Sequence, residues 1–476
     1  MEVNKSKRPY RSFFRKLTNV LMVGIMVWVF AVIWYAELNK FVSQFDQKGN
    51  WLIIFIYMVG VAVSFKLWGG FGIGRHKLVN IISSQLLAVI TQNIFGFMIV
   101  LLTAGDIYNI HKIVPRILKV AGLQIIFAIT VPICLYALYK KLFPPLRMLQ
   151  IYGDHRNELV AKMGTRRDKY IICEDISVHE PMEKIVRKID RYDAVLLNDI
   201  PSSDRNLIIK YCYDTSKRLY FTPKIPDIII RGAEVIKYFD SPIYMARNTG
   251  FSLDERFIKR LVDILFSSVA LIVTSPVLLI TAIAIKLDDH GPVIYTQERC
   301  TVGGRVFKIH KFRSMIVDAE KDGHAVPAAA DDARVTNVGR VIRRLRIDEL
   351  PQFWDILRGE MSIVGPRPER LEHYNKYSET IPEFSFRLKI KGGLTGYSQV
   401  YGKYNTTPLD KLKMDLMYIV DFSLLLDLQI ILETVKIIFK KESTEGFSPD
   451  QIKEIECEDK MSIDDAVMGN GTIQEE

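Results

Sequence analysis

LVDILFSSVALIVTSPVLLITAIAIKL, from Leu261 to Leu287, decides the architecture of this 476-residue chain. The run is long enough to cross a bilayer, which takes about 20 apolar residues. Yet Ser275-Pro276 sits near its middle, and a proline there removes an intrahelical hydrogen bond and predicts a bend. Spanning helices also tolerate proline, so Pro276 does not settle the matter alone. Charge does more. Arg256, Lys259 and Arg260 precede the run, and Lys286, Arg299, Arg305, Lys308, Lys311 and Arg313 follow it. Positive residues on both flanks favour both ends on the cytoplasmic side. The expectation is a re-entrant helix hairpin that holds the next domain against the inner membrane face. A true fifth crossing is the alternative.

Upstream, Leu17 to Ala36, Trp51 to Trp68, Ile81 to Thr103 and Ile117 to Tyr139 are each apolar enough to span. Lys5, Lys7, Arg8, Arg11, Arg15 and Lys16 flank the first; Arg75 and Lys77 lie in the second loop; Lys140, Lys141 and Arg147 follow the fourth. These three regions read as cytoplasmic. The first run lacks a cleavage pattern and is followed by three others, so it is not a signal peptide. Gly60, Gly69 and Gly96 are candidates for close helix packing. Intramembrane charges are nearly absent, which points to an anchor or assembly platform and not a solute pathway. The net charge of +10 is carried near apolar segments. It favours anionic lipid or phosphorylated substrates, with no nucleic-acid recognition element visible.

From Met148 the composition turns soluble. Leu149 to Tyr152, Tyr170 to Cys173, Ala194 to Leu197 and Leu219 to Phe221 read as strands, with helices at Met182 to Ile189 and Asn206 to Ser216. The alternation predicts a small, mainly parallel α/β domain, Rossmann-like in pattern. Its first turn, Tyr152-Gly153-Asp154-His155, lacks the glycine fingerprint, so a noncatalytic or regulatory role is expected. His155 and His179 read as surface residues. Cys134, Cys173, Cys212, Cys300 and Cys457 show neither zinc spacing nor a disulfide framework. Cys300 reads as a packed thiol.

The region after Pro292 is polar and rich in arginine. Val293 to Tyr295 and Val306 to Ile309 read as strands about a turn with Gly303 and Gly304. His310 and His324 lack partners at metal-site spacing. Arg343 to Glu360, RRLRIDELPQFWDILRGE, sets the adjacent carboxylates Asp348 and Glu349 just after Arg343, Arg344 and Arg346. Leu350, Phe353, Trp354 and Leu357 recur at the spacing of one helix face, with Gly359 as the stop. Pro351 fits only a first turn, so Asp348 is predicted at or near the N-cap, ionised and aimed outward, with Glu349 beside it. From this segment alone a plain cap, with Glu349 as first-turn decoration, is the commoner reason for such a pair. Arg340, Arg343, Arg344 and Arg346 require counter-charges: a multiply anionic ligand, or a lipid-facing patch. In Val364-Gly365-Pro366-Arg367-Pro368 the two prolines present Arg367 at low entropic cost for phosphate contact. Acids beside a polyphosphate call for a bridging cation. Mg2+ suits a site with one or two carboxylates, phosphates and waters. An aspartate can also attack phosphorus. The residues thus reach a membrane-surface phosphoryl transferase. A metal-dependent phosphatase or hydrolase, and a noncatalytic scaffold, remain as competitors.

Gln297-Glu298-Arg299, Lys311-Phe312-Arg313-Ser314-Met315, Arg334-Val335-Thr336, Asp348-Glu349-Leu350-Pro351-Gln352 and Val364-Gly365-Pro366-Arg367-Pro368 follow in one order. In these motifs the chain, from about Phe257 to Phe439, resembles the bacterial polyprenyl-phosphate glycosyl-1-phosphate transferases that begin exopolysaccharide or capsule synthesis. The front half is similar to that family's long multi-pass form. The resemblance implies that Asp348 attacks the β-phosphorus of a UDP-sugar, releasing UMP, and that undecaprenyl phosphate then takes the sugar-1-phosphate. It implies that Glu349 holds Mg2+, that Arg313, Arg340, Arg343, Arg346 and Arg367 bind phosphates, and that Ser275-Pro276 breaks the re-entrant helix. Pro366 and Pro368 shape the Arg367 turn. It places the protein in the bacterial inner membrane with its catalytic domain cytoplasmic, as a homodimer in contact with membrane lipid and polysaccharide assembly proteins. Ala333 and Gly392 depart from the family's usual prolines, which leaves loop rigidity and sugar preference open.

The expected organisation is a four-helix transmembrane region (1–147), a Rossmann-like middle domain (148–250), a catalytic domain with the re-entrant helix (251–440) and a mobile acidic tail (441–476). Tyr401 to Thr407 reads as a sugar-side or packing loop. Leu424 to Phe439 reads as a helix that packs on the domain or lies on the bilayer.

Overall fold

The computed structural model describes residues 8–41, 47–105, 107–153, 159–236, 240–246, 250–317, 319, 332, 334–402 and 406–438. His155, His324, Ala333, Cys457 and the tail from Lys441 lie outside them, as does residue stretch 403–405 within the Tyr401 to Thr407 loop. Two compact units divide the chain, Met1–Thr222 and Pro223–Glu476.

The first unit begins with four long helices: α1 (Arg8–Ile33), α2 (Gln47–Leu67), α3 (Leu78–Ala104) and α4 (Ile110–Leu142). All four are long and apolar enough to cross a membrane, as the hydropathy pattern predicts. α1 packs on α2 and α4, α2 on α3 and α3 on α4, which closes a four-helix bundle. Helices in lipid gain little from burying apolar surface, so close contact and polar pairing hold them. Gly60 and Gly96 serve the first purpose: a Cβ would lie 2.7 Å from Gln92 and 2.8 Å from the Tyr57 ring, respectively. Gly69 instead takes φ 72° in the turn after α2. For the second purpose, Gln124 accepts from Asn93 at 2.7 Å and donates to the Met26 carbonyl at 2.8 Å.

An α/β sheet follows: β1 (Leu146–Tyr152), α5 (Leu159–Gly164), β2 (Tyr170–Ser177), α6 (Met182–Ile189), β3 (Ala194–Asn198), α7 (Ser202–Asp214) and β4 (Arg218–Phe221). The order is β2-β1-β3-β4, every pair parallel. Central β3 is buried along its whole length, Val195 and Leu197 entering one core and Ala194 and Leu196 the other. A parallel strand covered on both faces reads as such an unbroken apolar run. The order reverses between β1 and β3. There the Gly153 N–H donates to the Asn198 carbonyl at 3.0 Å, and a Cβ on Gly153 would sit 2.0 Å from the Asp199 carbonyl oxygen.

The second unit opens with α8 (Ile225–Arg231), a hairpin of β5 (Glu234–Ile236) and β6 (Ile243–Met245), and α9 (Leu253–Asp289). It continues through β7 (Ile294–Cys300), β8 (Val306–Phe312), α10 (Asn337–Arg344), a 3-10 turn at Ile347–Glu349, α11 (Gln352–Arg358) and β9 (Ser362–Val364). Then come α12 (Leu371–Thr380), a 3-10 stretch at Pro382–Lys389, β10 (Gly393–Thr395), α13 (Tyr397–Tyr401), α14 (Pro408–Val420) and α15 (Leu424–Ile438). β7 and β8 pair antiparallel across Gly303 and Gly304, which take φ 68° and 79°. β9 and β10 pair parallel. α15 belongs to the core: Ile430 is fully buried beside Ile356, Ile363 and Tyr418.

α9 starts with a capping box between Ser252 and Glu255, ends at His290 in the left-handed region (φ 60°), and is one helix through Pro276. No break separates two helices at Pro276, and no re-entrant hairpin is identified in α9. Proline at position 276 leaves the Ile272 carbonyl without its helical N–H, and the Ser275 hydroxyl donates to that oxygen at 2.8 Å. Length and composition alone would let α9 cross a membrane. Two of the cations that precede its apolar run are held by protein groups. Lys259 is buried against Asp427 at 2.6 Å, and Arg260 donates to the Ile356 and Leu357 carbonyls. Phe257, Val269, Ile272, Val273, Ile280 and Leu287 remain exposed on it.

Candidate active site

Asp348 and Glu349 lie in the 3-10 turn ahead of α11, whose N-cap is Pro351. The predicted N-cap role for Asp348 is therefore wrong, because the helix starts later than its apolar spacing suggested. The buried face of α11 is Gln352, Phe353, Asp355 and Ile356, while Trp354 is 53% exposed. The chain enters the turn through Arg346, which takes φ 57°, a region non-glycine residues seldom occupy.

Glu349 is the electrostatic hub. Its Oε1 accepts from Lys311 and from Arg367, both at 3.0 Å, and Arg346 lies 3.9 Å from Oε2. Burial would raise this carboxyl, but Lys311, Arg367 and Arg346 outweigh it and hold Glu349 well below the usual carboxylate range. Lys311 reaches it from β8. Burial lowers the Lys311 ammonium, with Glu349 opposing.

Asp348 has the opposite environment. One of its oxygens, Oδ1, is buried with no hydrogen-bond partner among the described residues. Burial, then the neighbouring Glu349 charge, raises its carboxyl from 3.8 to about 6, against Lys311, Arg346 and Arg343. It is not held ionised by a helix terminus, as the sequence suggested; desolvation wins. Two adjacent acids pushed in opposite directions define separate chemical roles. Glu349 stays an anion bound to cations, and Asp348 keeps an unpartnered, more basic oxygen.

Arg367 is positioned by its backbone. Its carbonyl accepts from Arg387 at 2.9 Å, and the Pro368 carbonyl accepts from Arg299 at 3.1 Å. Gly365 N–H donates to Thr395, and Gly393 N–H donates to Pro366, so β10 clamps the loop. The clamp has no space for a side chain: a Cβ on Gly393 would lie 2.1 Å from the Gly365 nitrogen, and one on Gly392 would lie 2.5 Å from Pro368 Cγ. Gly392 thus permits close contact with the second of the two prolines.

The other predicted arginines divide. Arg343 and Arg346 act on Asp348. Arg340 is exposed on α10, and among the described residues no hydrogen bond or ion pair joins it to the acids. Arg313 is buried, its guanidinium forked onto Asp289 and its Nε donating to the Pro292 carbonyl at 2.6 Å, so the structure does not bring it to the pair. Sequence reasoning missed the roles of Lys311, Arg299 and Arg387, and also the anchor beneath α11. There Asp355, buried, accepts from His310 N–H at 2.9 Å and contacts His310 Nδ1 at 2.6 Å, tying α11 to the free edge of β8. Extending the β8 alternation past Ile309 would have set Lys311 on the face of Phe307 and Ile309.

Among the described residues no three His, Cys, Asp or Glu side chains group as metal ligands. Glu349 Oε2, with Arg346 3.9 Å away, and the unpartnered Asp348 oxygen are the carboxylate oxygens that could hold a cation drawing its remaining ligands from phosphate and water, which is the habit of Mg2+.

The bacterial sugar transferase family model matches residues 254–441, the stretch that builds this site. A UDP-glucose:undecaprenyl-phosphate glucose-1-phosphate transferase of Caulobacter vibrioides is 42% identical over 183 residues, 37% of this chain and 68% of that protein. The chain belongs to the bacterial sugar transferase family. A UDP-N-acetylgalactosamine-undecaprenyl-phosphate N-acetylgalactosaminephosphotransferase of Aeromonas hydrophila is 44% identical over 185 residues, 38% of this chain and 44% of that protein. A glucose-1-phosphate transferase of Klebsiella pneumoniae, named for UDP-glucose and undecaprenyl phosphate, is 39% identical over 264 residues, 52% of this chain and 54% of that protein. The chain thus spans about half the length of these last two relatives.

Proposed function

We propose that this protein transfers a sugar-1-phosphate from a UDP-sugar to undecaprenyl phosphate through an aspartyl phosphosugar on Asp348. The observation that carries the reading is the unpartnered, buried oxygen of Asp348 beside a Glu349 already neutralised by Lys311 and Arg367. With its carboxyl raised to about 6, Asp348 is mostly ionised at neutral pH and more basic than an ordinary carboxylate. An Asp348 oxygen attacks the β-phosphorus, and the bond from that phosphorus to the bridging oxygen breaks, releasing UMP. An oxygen of undecaprenyl phosphate then attacks the same phosphorus and displaces the aspartate. The sugar C–O bond is never broken. Arg367, partly exposed and fixed by its flanking prolines, contacts phosphate oxygens, with Arg343 and Arg346 adding positive charge around the aspartate. Mg2+ held at Glu349 would offset negative charge on the donor diphosphate. Arg313 is better assigned to holding the end of α9 than to a substrate.

A lipid acceptor and a soluble donor meet when the site lies at the bilayer surface. Two ends of α9 support that placement. Near its start Asp263 accepts from Ser362 and from Ile363 N–H, and near its end Ile285 packs with Phe312 and Ile342. These positions are about 33 Å apart along a straight helix, comparable to the bilayer core of about 30 Å. A helix seated at both ends on one globular unit fits re-entry or in-plane insertion better than a crossing. The cytoplasmic side follows from the charge pattern of the first loops. The relatives named above differ in their sugar, so donor identity is left to experiment.

The test is incubation of the purified full-length protein with UDP-sugars labelled in the sugar. The expected result is a phosphosugar adduct and UMP release in the wild type, neither in Asp348→Asn, and product only with undecaprenyl phosphate. An intact adduct on Asp348→Asn would sink the nucleophile assignment. Turnover with water as acceptor would favour a hydrolase, and unaltered function of Asp348→Ala would favour a scaffold.

A further inference from the structure

The first unit holds a cavity of about 320 Å3 that the transfer chemistry does not use. That volume is in the range of small-molecule sites. Five cationic side chains line it: Arg11 and Arg15 from α1, Arg75 from the turn between α2 and α3, Lys169 just before β2, and Arg218 at the start of β4. They come from four separate segments, so they are not simply one solvated helix face. The carboxylate in the lining, Asp168, is already engaged: Arg166 donates to its two oxygens at 3.0 and 3.1 Å, and the Tyr136 hydroxyl donates at 3.0 Å. Arg11 donates to the Pro144 carbonyl at 2.6 Å and lies over the Phe143 ring, which anchors it without neutralising it.

The walls are aromatic. Tyr139, Tyr170 and Tyr220 line the cavity, the last two in edge contact at 5.4 Å. Gly74, at φ 72°, lets the turn close onto Tyr139, since a Cβ there would meet the ring at 2.4 Å. Burial, then Arg166, with Arg15 and Arg75 further along, lowers Lys169 from 10.5 to about 8. Cations gathered in a partly enclosed space repel one another and draw in an anion.

Location narrows the ligand. The cavity lies at the amino ends of β1, β2 and β4, whereas nucleotide sites of open α/β sheets lie outside the carboxyl ends. It also borders the start of α1 and the end of α4, the bundle ends that carry the positive residues of the inner face. Basic pockets beside membrane helices on that face are built for lipid phosphates.

We propose that this cavity is a phosphate-binding site at the membrane surface, filled by the headgroup phosphate of an anionic lipid or by a soluble phosphate or diphosphate. The full-length protein is reconstituted in phosphatidylcholine nanodiscs. One arm titrates labelled phosphatidylglycerol, and the other titrates inorganic pyrophosphate, each against wild type, Arg218→Gln and Lys169→Gln. Saturable binding in one arm that weakens roughly tenfold or more in both variants supports the site, and the responding arm identifies the source. Thermal unfolding of each variant is read alongside, so that weakened binding counts only in a variant that unfolds with the wild type. Absence of saturable binding in either arm, or equal affinity in wild type and both variants, would overturn the proposal. Neither readout uses sugar transfer, so failure here leaves the Asp348 chemistry standing.

Discussion

Glu349→Gln removes the charge on which Lys311, Arg367 and Arg346 converge and leaves the side chain's shape nearly unchanged. Lys311 and Glu349 expose only 18% and 13% of their side chains, so this is a buried pair. Removing one partner of such a pair costs about 3–5 kcal/mol. Arg367 and Arg346 are 38% and 40% exposed and recover solvation in water, so they add little. The expected loss is therefore about 3 kcal/mol, the low end of that range. A second effect reports on chemistry. The Glu349 charge is one of two causes that raise the Asp348 carboxyl to about 6, while Lys311, Arg346 and Arg343 act against it. Without the Glu349 charge burial alone opposes the cations, and Asp348 titrates at lower pH than in the wild type. The acid limb of single-turnover UMP release, set by protonation of the nucleophile, then moves to lower pH even as the rate falls. Thermal unfolding in detergent and a pH profile of UMP release read the two effects on one preparation. An acid limb that stays in place or moves upward would refute the assigned coupling between the two acids.

Asp348→Asn is expected to stabilise the protein at neutral pH. The native carboxyl binds its proton more tightly than in the unfolded chain, so stability falls as pH rises from about 4 to about 6, and the full cost, roughly 2–3 kcal/mol, persists at pH 7. Denaturant unfolding should show the variant more stable at pH 7 and equal to wild type below about pH 4. Lys259→Met leaves buried Asp427 without its counter-charge, the Tyr418 hydroxyl still donating to it at 2.7 Å, and should cost about 3 kcal/mol, whereas Lys259→Met with Asp427→Leu should recover much of it; a double-mutant cycle measures the coupling. Gly393→Ala forces a Cβ against the Gly365 nitrogen and should both destabilise, by about 1–3 kcal/mol, and displace the Arg367 loop, seen as a raised KM for the UDP-sugar.

Local signals in the sequence were enough for the bundle, the parallel sheet and the β7–β8 hairpin. Apolar length, strand alternation and paired turn glycines depend on neighbours along the chain, which is why Met182 to Ile189 appears as a helix with those same bounds. The pairing of Asp348 with Glu349 and the proline frame around Arg367 were legible for the same reason. Tertiary structure alone decided how the two acids differ. Their opposite titration arises because β8 delivers Lys311, and the β9–β10 clamp delivers Arg367, to one carboxylate and not to the other. It also decided that Arg313, expected on phosphate, and Lys259, expected as a flank of the apolar run, are interior counter-ions. Sequence records a charge, but desolvation and the position of an opposite charge depend on segments far apart in the chain, and those two quantities determine what a carboxylate or a guanidinium can do.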